Sequence, residues 1–398
     1  MALSLSARRT AAAFRQAGAI SAFSTAAEQV PFVDVHTHVY LPRYMQMLRD
    51  RTNVPRVQKF NGEDRLIILP GEDDNSTTAI GRPIGSEYYD EQRRVAFMDT
   101  HGIDVSVLSL ANPWLDFLPA AEAVPLASHL NDDLNDSCVA SNGRFYGFGV
   151  LPMQDVDAAC AEVRRIAQAS HLKGVIMSTH GRGNWLDDEA LLPVYQTLAE
   201  EGLIAFIHPH FGVGNSDFGD EYGHTLFLAL GFTFETTTAV SRLVCSGMLD
   251  KVPDMQFLLA HSGGTLPFLA GRLDSCVAHD ETIASKLSAK PSEYLTRNFY
   301  YDSLVYAPPA LEASMAFVGT DRLMFGTDCP FFPAPGVSRE PLQAGSPLTP
   351  LDTTPWMSTT KNQDLLTGHV NQTRGKDIAA AIAGGNAARV LGLDMPTR

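Results

Sequence analysis

The chain has 398 residues, 45% of them hydrophobic, a formal net charge of −15 and a pI near 5.2. That acidic balance argues against a nucleic-acid partner, and no apolar run reaches the roughly 18 residues a membrane-spanning helix needs. The five cysteines (Cys138, Cys160, Cys245, Cys276 and Cys329) are widely spaced with no Cys-x-x-Cys, which fits free thiols in a reducing compartment.

From Met1 to Ala27 there is no Asp or Glu, while Arg8, Arg9 and Arg15 sit among Ala, Ser and Leu. This reads as a mitochondrial presequence, implying the matrix; the alternative is an untargeted tail on a cytoplasmic protein. Either way residues 1–28 are expected outside the fold, and 29–398 are expected to form one domain. The first strand, Phe32–Val35, runs into His36-Thr37-His38. Alternation along a strand points both imidazoles the same way, roughly 6–7 Å apart at their Cα atoms, so they can converge on one metal ion.

Residues 39–86 form a long insertion, with a short strand expected at Arg65–Pro70 and a closing turn at Gly81-Arg82-Pro83. Its length suggests a lid. Strands are then expected at Val105–Ala111, Phe145–Leu151, Gly174–Ser178, Leu203–Ile207, Gln256–Ala260, Phe299–Asp302 and Leu323–Gly326. Helices fall between them, near 87–101, 119–141, 155–170, 188–201, 225–248, 265–288 and 308–317. A Pro-rich loop at 330–358 and closing helices near 360–391 complete the chain. Eight β–α units predict an α/β fold, a closed (β/α)8 TIM barrel with an insertion after strand one. The rival, a doubly wound open sheet, lacks a Gly-x-Gly-x-x-Gly after an early strand.

Barrels of this kind place chemistry at the C-terminal ends of their strands. Strand one ends in His36 and His38, strand two in Asn112, strand five in His208-Pro209-His210, strand six in His261 and strand eight in Asp328. Histidines with a carboxylate suit Zn2+ first, then Fe2+, Mn2+ or Co2+. Strand four ends in Ser178-Thr179-His180, and its one lysine, Lys173, precedes the strand, so a bridging group for a second metal is missing. One divalent metal is expected.

These motifs resemble the amidohydrolase superfamily, and within it the non-oxidative decarboxylases typified by aminocarboxymuconate-semialdehyde decarboxylase. The chain is similar above all to the fungal uracil-5-carboxylate (isoorotate) decarboxylases. The shared stretches are Gly81–Pro83, Ser109–Trp114, Glu221–His224, Leu258–Arg272 and Leu323–Asp328. The resemblance implies metal ligands His36, His38, His208 and Asp328, and His261 as the acid–base histidine. It implies catalytic or substrate-binding roles for Arg82, Asn112 and Phe331. Arg272 matches an arginine that reaches into a neighbouring subunit's site, which implies a homodimer. The expected activity is loss of CO2 from a planar unsaturated or aromatic acid: uracil-5-carboxylate first, then aminocarboxymuconate semialdehyde, with salicylate-type acids after them. Asp328 and His261 would deliver the proton, and Arg82 would clamp a substrate oxygen.

The chain departs from the isoorotate pattern at Cys329, where His is expected, and in a shorter, more polar 63–80 stretch. Simpler roles remain open for several residues: turns for Asn112 and Arg82, pairing of Arg272 with Asp274, loop anchors for Phe331 and Phe332. Asp34 reads as a strand brace, and His180, His210 and His224 as weaker site candidates. Other functions open to such a site are hydrolysis of a lactone or amide, or binding without catalysis.

Overall fold

The computed structural model describes residues 31–68, 81–218, 220–332 and 354–395. The presequence reading of residues 1–28, much of the 63–80 stretch and most of the 330–358 loop lie outside that set.

β1 (Phe32–Val39) carries the two histidines at its end. β2 (Arg56–Phe60), β3 (Glu63–Ile67) and β4 (Arg82–Pro83) form a small antiparallel sheet inside the insertion. One short strand was expected here, and the structure has a hairpin with a third strand added. Its turn is Asn61-Gly62, both at positive φ (51° and 88°), a pairing whose backbone preference suits a two-residue hairpin loop. The parallel strands follow: β5 (Ile103–Leu110), β6 (Phe145–Gly149), β7 (Leu172–Ser178), β8 (Ile204–His208), β9 (Phe257–Leu259), β10 (Phe299–Asp302) and β11 (Leu323–Met324).

These seven and β1 make one eight-stranded parallel sheet in the order β1-β5-β6-β7-β8-β9-β10-β11. The chain after β11 returns to β1: Val35 N–H donates to Phe325 O at 3.0 Å, Asp328 N–H to His36 O at 2.7 Å, and His38 N–H to Cys329 O at 2.7 Å. The expected barrel is therefore present. Gly326 permits the close approach at this seam, since a Cβ there would lie 2.8 Å from His36 Cβ.

Inter-strand helices lie where alternation placed them, with boundaries set by local chemistry. Asp90 caps Glu91–His101 by accepting from the Gln92 and Arg93 N–H groups, and Gly102 ends that helix at φ 62°. The expected 265–288 helix stops at Ala278, because Asp280 takes the Thr282 N–H and starts a new turn, and Pro291 begins a separate helix, Pro291–Arg297. The barrel interior beneath the site is aromatic. Phe148, Phe206, Phe257, Phe299 and Phe325 are fully buried, and the Phe206 ring lies 5.0 Å from that of His36.

Candidate active site

His36, His38, His208 and Asp328 converge at the C-terminal mouth of the barrel, all buried, with one donor atom from each within 4.8 Å of the others. Each histidine is oriented through Nδ1. His36 Nδ1 meets Asp302 Oδ2 at 2.6 Å, His208 Nδ1 meets the Pro209 carbonyl at 2.7 Å, and His38 Nδ1 meets Ser109 Oγ at 3.1 Å. Ser109 gives its own proton to Thr37 O, so it accepts from His38. Three Nδ1–H tautomers leave three bare Nε2 atoms facing inward. His36 Nε2 and His38 Nε2 stand 3.1 Å apart and both lie 3.3 Å from Asp328 Oδ1. His208 Nε2 and Asp328 Oδ1 are buried without a hydrogen-bond partner. A buried cluster of acceptors facing one another calls for a cation among them, and the nitrogen and carboxylate donor set fits a divalent metal.

The electrostatics agree. Burial opposes a charge on His36, but Asp328 and Asp302 beside it hold its pKa up at about 10. Burial pushes His38 down to about 4 and, with the neighbouring histidines, drives His208 well below its ordinary range. Burial would raise Asp328, yet the charge of His36 and contacts from His261, His36 and His38 hold it well below the usual carboxylate range. One positive charge at the centre is strongly favoured. A bound divalent ion would take over that role from the His36 proton.

Asp302, at the end of β10, is one of two residues of the site that sequence reasoning missed, Glu235 being the other. Besides His36, Asp302 accepts from the backbone N–H groups of His261 (2.8 Å), Ser262 (2.7 Å) and Leu304 (3.1 Å). Burial acts to raise its pKa, but these partners keep it ionised and low. His261 and Ser262 both adopt φ 53°, a left-handed conformation costly for side-chain-bearing residues. The two amides held by Asp302 fix that turn and aim His261 Nε2 at Asp328 Oδ2, 3.7 Å away. The readable signal was an acid at the end of strand seven, in a barrel whose other strand ends carry the chemistry.

Above the metal ligands lies a polar rim. Arg82, on β4 of the insertion, donates through Nη2 to the Tyr40 hydroxyl at 2.7 Å and to Asn112 Oδ1 at 3.3 Å. Its guanidinium lies 5.0 Å from the centre of the Phe331 ring, which itself sits 5.5 Å from the His38 ring. The sequence-derived trio Arg82, Asn112 and Phe331 thus shares one edge of the site. His210 joins it through Asn112 Nδ2 at 3.1 Å. Burial drives the His210 pKa to about 3. Glu235, fully buried on the helix Phe232–Cys245, anchors this edge from below. It accepts from the His210 N–H at 3.1 Å, from the Gly212 N–H and from the Thr179 hydroxyl, and it pairs with His180 Nδ1 at 3.2 Å. His180 therefore serves this network and not the metal cluster.

Other candidates lie elsewhere. Asp34 braces the seam, accepting from Thr327 N–H (3.0 Å), Thr327 Oγ1 (2.6 Å) and His36 N–H (3.2 Å). Lys173 sits near the start of β7 with its ammonium over the Tyr146 ring, away from the strand's C-terminal end. His224 and Phe332 are exposed. Arg272 is exposed on the helix Leu266–Ala278 and is not brought to the site of its own chain, while Asp274 is engaged by Ser292. Cys329 is buried, its Sγ 3.7 Å from Arg94 Nη1; Arg94 also grips Thr37 Oγ1 and the His38 carbonyl. All five cysteines are free thiols.

The family model for amidohydrolases matches residues 33–393. The chain belongs to the amidohydrolase family. The match spans every residue of the site, from His36 to Asp328. Among characterised amidohydrolases, the chain is 28% identical over 367 residues to the 2-amino-3-carboxymuconate-6-semialdehyde decarboxylase of Dictyostelium discoideum, covering 91% of this chain and 92% of that one. It is 31% identical over 252 residues to the gamma-resorcylate decarboxylase of Rhodococcus jostii, covering 60% and 76% of the two chains. The crystal structure of the Metarhizium anisopliae isoorotate decarboxylase superposes with a TM-score of 0.83 at 40% identity, covering 91% of this chain and 97% of that one. The decarboxylase branch read from the sequence motifs is the branch these amidohydrolase relatives occupy.

Proposed function

We propose that the chain is a metal-dependent, non-oxidative carboxy-lyase acting on a planar unsaturated or aromatic acid, with uracil-5-carboxylate as its substrate. The observation that carries the reaction is the two-sided placement of Asp328. Its Oδ1 lies with the three bare histidine nitrogens, while its Oδ2 faces His261 Nε2 at 3.7 Å. One carboxylate therefore belongs to both the metal cluster and a proton-transfer pair. The 40% identity to an isoorotate decarboxylase supports the substrate, and the semialdehyde substrate of the Dictyostelium relative is the second choice.

When bound, a divalent metal, zinc being the best match to three imidazoles and a carboxylate, would hold the substrate carboxylate and draw electron density from it. The protein supplies the rest. Arg82 and Asn112 hold substrate oxygens at the rim, and Phe331 packs against the plane of the substrate. The Asp328–His261 pair passes a proton to the carbon that bears the carboxylate, so that carbon never becomes a free carbanion. The C–C bond then breaks, its electron pair returns to the unsaturated system, and CO2 departs. His261→Asn is expected to lower kcat by about 10²–10⁴ while the protein keeps its metal. Undiminished turnover by that variant would remove His261 from the proton step.

The functional unit is proposed to be a homodimer. The surface that would meet the partner includes Phe268, 86% exposed, one turn before Arg272 on the same helix. A monomeric mass by light scattering would refute this.

A further inference from the structure

Arg82 sets the direction of every hydrogen bond in the rim network, because a guanidinium can only donate. The Tyr40 hydroxyl, accepting from Arg82, spends its own proton on the Asn112 carbonyl 2.5 Å away. Asn112 Oδ1, also accepting from Arg82, leaves the amide nitrogen to face His210, 3.1 Å from Nδ1. An amide nitrogen donates and does not accept. His210 Nδ1 must therefore be bare, with the ring proton on Nε2. An Nδ1–H tautomer or an imidazolium would set two donors against each other. Turning the Asn112 amide over would only move that clash to Arg82.

The ring so oriented is not free to reorient. His210 is 3% exposed, its backbone N–H is held by both Glu235 oxygens at 3.1 Å, and its ring packs 4.2 Å from Phe211 and 5.7 Å from Trp114. Trp114 also flanks the metal ligand His208, at 5.8 Å, so the two histidines share one wall. Within the ring, Nδ1 is committed to Asn112. His210 Nε2–H has no hydrogen-bond partner among the described residues.

We propose that His210 is a specificity-determining residue: a fixed, neutral Nε2–H donor that takes a carbonyl, phenolic or carboxylate oxygen of the substrate next to Arg82. A substrate edge with acceptor oxygens gains this bond. An edge that offers N–H there meets a second donor and is refused. The assignment of the proton stands on the network alone, whereas the recognition of a substrate oxygen rests on the decarboxylase reading above.

Two measurements separate these parts. In zinc-loaded full-length protein with ring-15N histidine, two-bond proton–nitrogen correlations, assigned by their loss in His210→Asn, report which nitrogen carries the proton. A bare Nδ1 and protonated Nε2 are expected; an Nδ1–H form or an imidazolium overturns the proposal. The second compares wild type with His210→Asn, whose side-chain oxygen can still accept from Asn112 but which lacks the outward donor. KM for uracil-5-carboxylate is expected to rise about tenfold, as for one lost hydrogen bond. The kcat should stay within about threefold, with metal content unchanged, and His210→Gln, which reaches toward the Nε2 position, should recover part of KM. An unchanged KM overturns the recognition. Should wild type release no CO2 from any acid, the decarboxylase reading fails on its own. Calorimetric affinity for 5-nitrouracil, in which a nitro group replaces the carboxylate, then decides recognition. A tenfold weaker His210→Asn supports it; equal affinities, or no binding by either protein, overturn it.

Discussion

Replacing Asp302 by asparagine keeps the side chain's shape and removes its charge. The carboxylate takes four N–H groups: His36 Nδ1 and His261 N on Oδ2, Ser262 N and Leu304 N on Oδ1. An amide can satisfy only one of these pairs. With its oxygen toward Ser262 and Leu304, its NH2 faces His36 Nδ1–H, and the imidazole must move its proton to Nε2, where the metal binds. With its oxygen toward His36 and His261, the Ser262 and Leu304 N–H groups lose their acceptor, and the strained turn keeps one of its two anchors. The first loss is the familiar one of a second-layer carboxylate behind a metal-bound histidine, about 10–100-fold in metal affinity, which is about 1.4–2.7 kcal/mol. The assay is competition between the protein and a chromophoric chelator for zinc, with circular dichroism confirming that the barrel persists. Metal affinity within twofold of wild type in a folded Asp302→Asn protein would refute the reasoning.

Two other outcomes follow from the same geometry, and a third from the sequence of the first 28 residues. Gly326→Ala places a methyl 2.8 Å from His36 Cβ and 3.4 Å from Asp302 Cβ; a stability loss of about 1–3 kcal/mol should appear in chemical denaturation, and a wild-type midpoint would count against the tight seam. Glu235 is held below its ordinary value of 4.5: burial raises it, but His180, Thr179 and the Gly212 and His210 amides outweigh that. Its contribution to stability is therefore complete above about pH 4.5 and lost as pH falls through the lower folded value. The stability gap between wild type and Glu235→Gln should narrow steadily on acidification below that point, and a gap constant from pH 7 to pH 3 would contradict it. Residues 1–28 fused to a fluorescent protein should direct it to mitochondria, and a diffuse signal would leave them an untargeted tail.

The barrel and its ligands were legible because they rest on short-range regularities. Strand–helix alternation counts to eight, and the strand ends at His36, His38, His208, His261 and Asp328 can be read without knowing how the sheet closes. Arg82 was singled out through the Gly81–Pro83 motif, but its approach to Asn112 and Phe331 depends on the three-stranded sheet of the insertion. The Asn61-Gly62 turn was the visible clue to that hairpin; the polar alternation of Arg56–Phe60 hid the strand before it. Asp302 and Glu235 were missed for a different reason. Neither touches the expected metal, and each acts by collecting backbone amides from turns whose positive φ or loop path only the folded chain reveals. The long 265–288 helix failed on a local competition, Asp280 against helix continuation, that hydrophobic periodicity does not register.

The decisive measurement is CO2 release by metal-quantified protein lacking residues 1–28, tested against uracil-5-carboxylate, aminocarboxymuconate semialdehyde and 2,6-dihydroxybenzoate. Uracil and CO2 from the first acid, with about one zinc per chain and loss of activity on chelation, is the expected result. No CO2 from any acid, with hydrolysis of lactones or amides by the same metal-loaded protein, would contradict decarboxylation while leaving the barrel and its metal cluster in place.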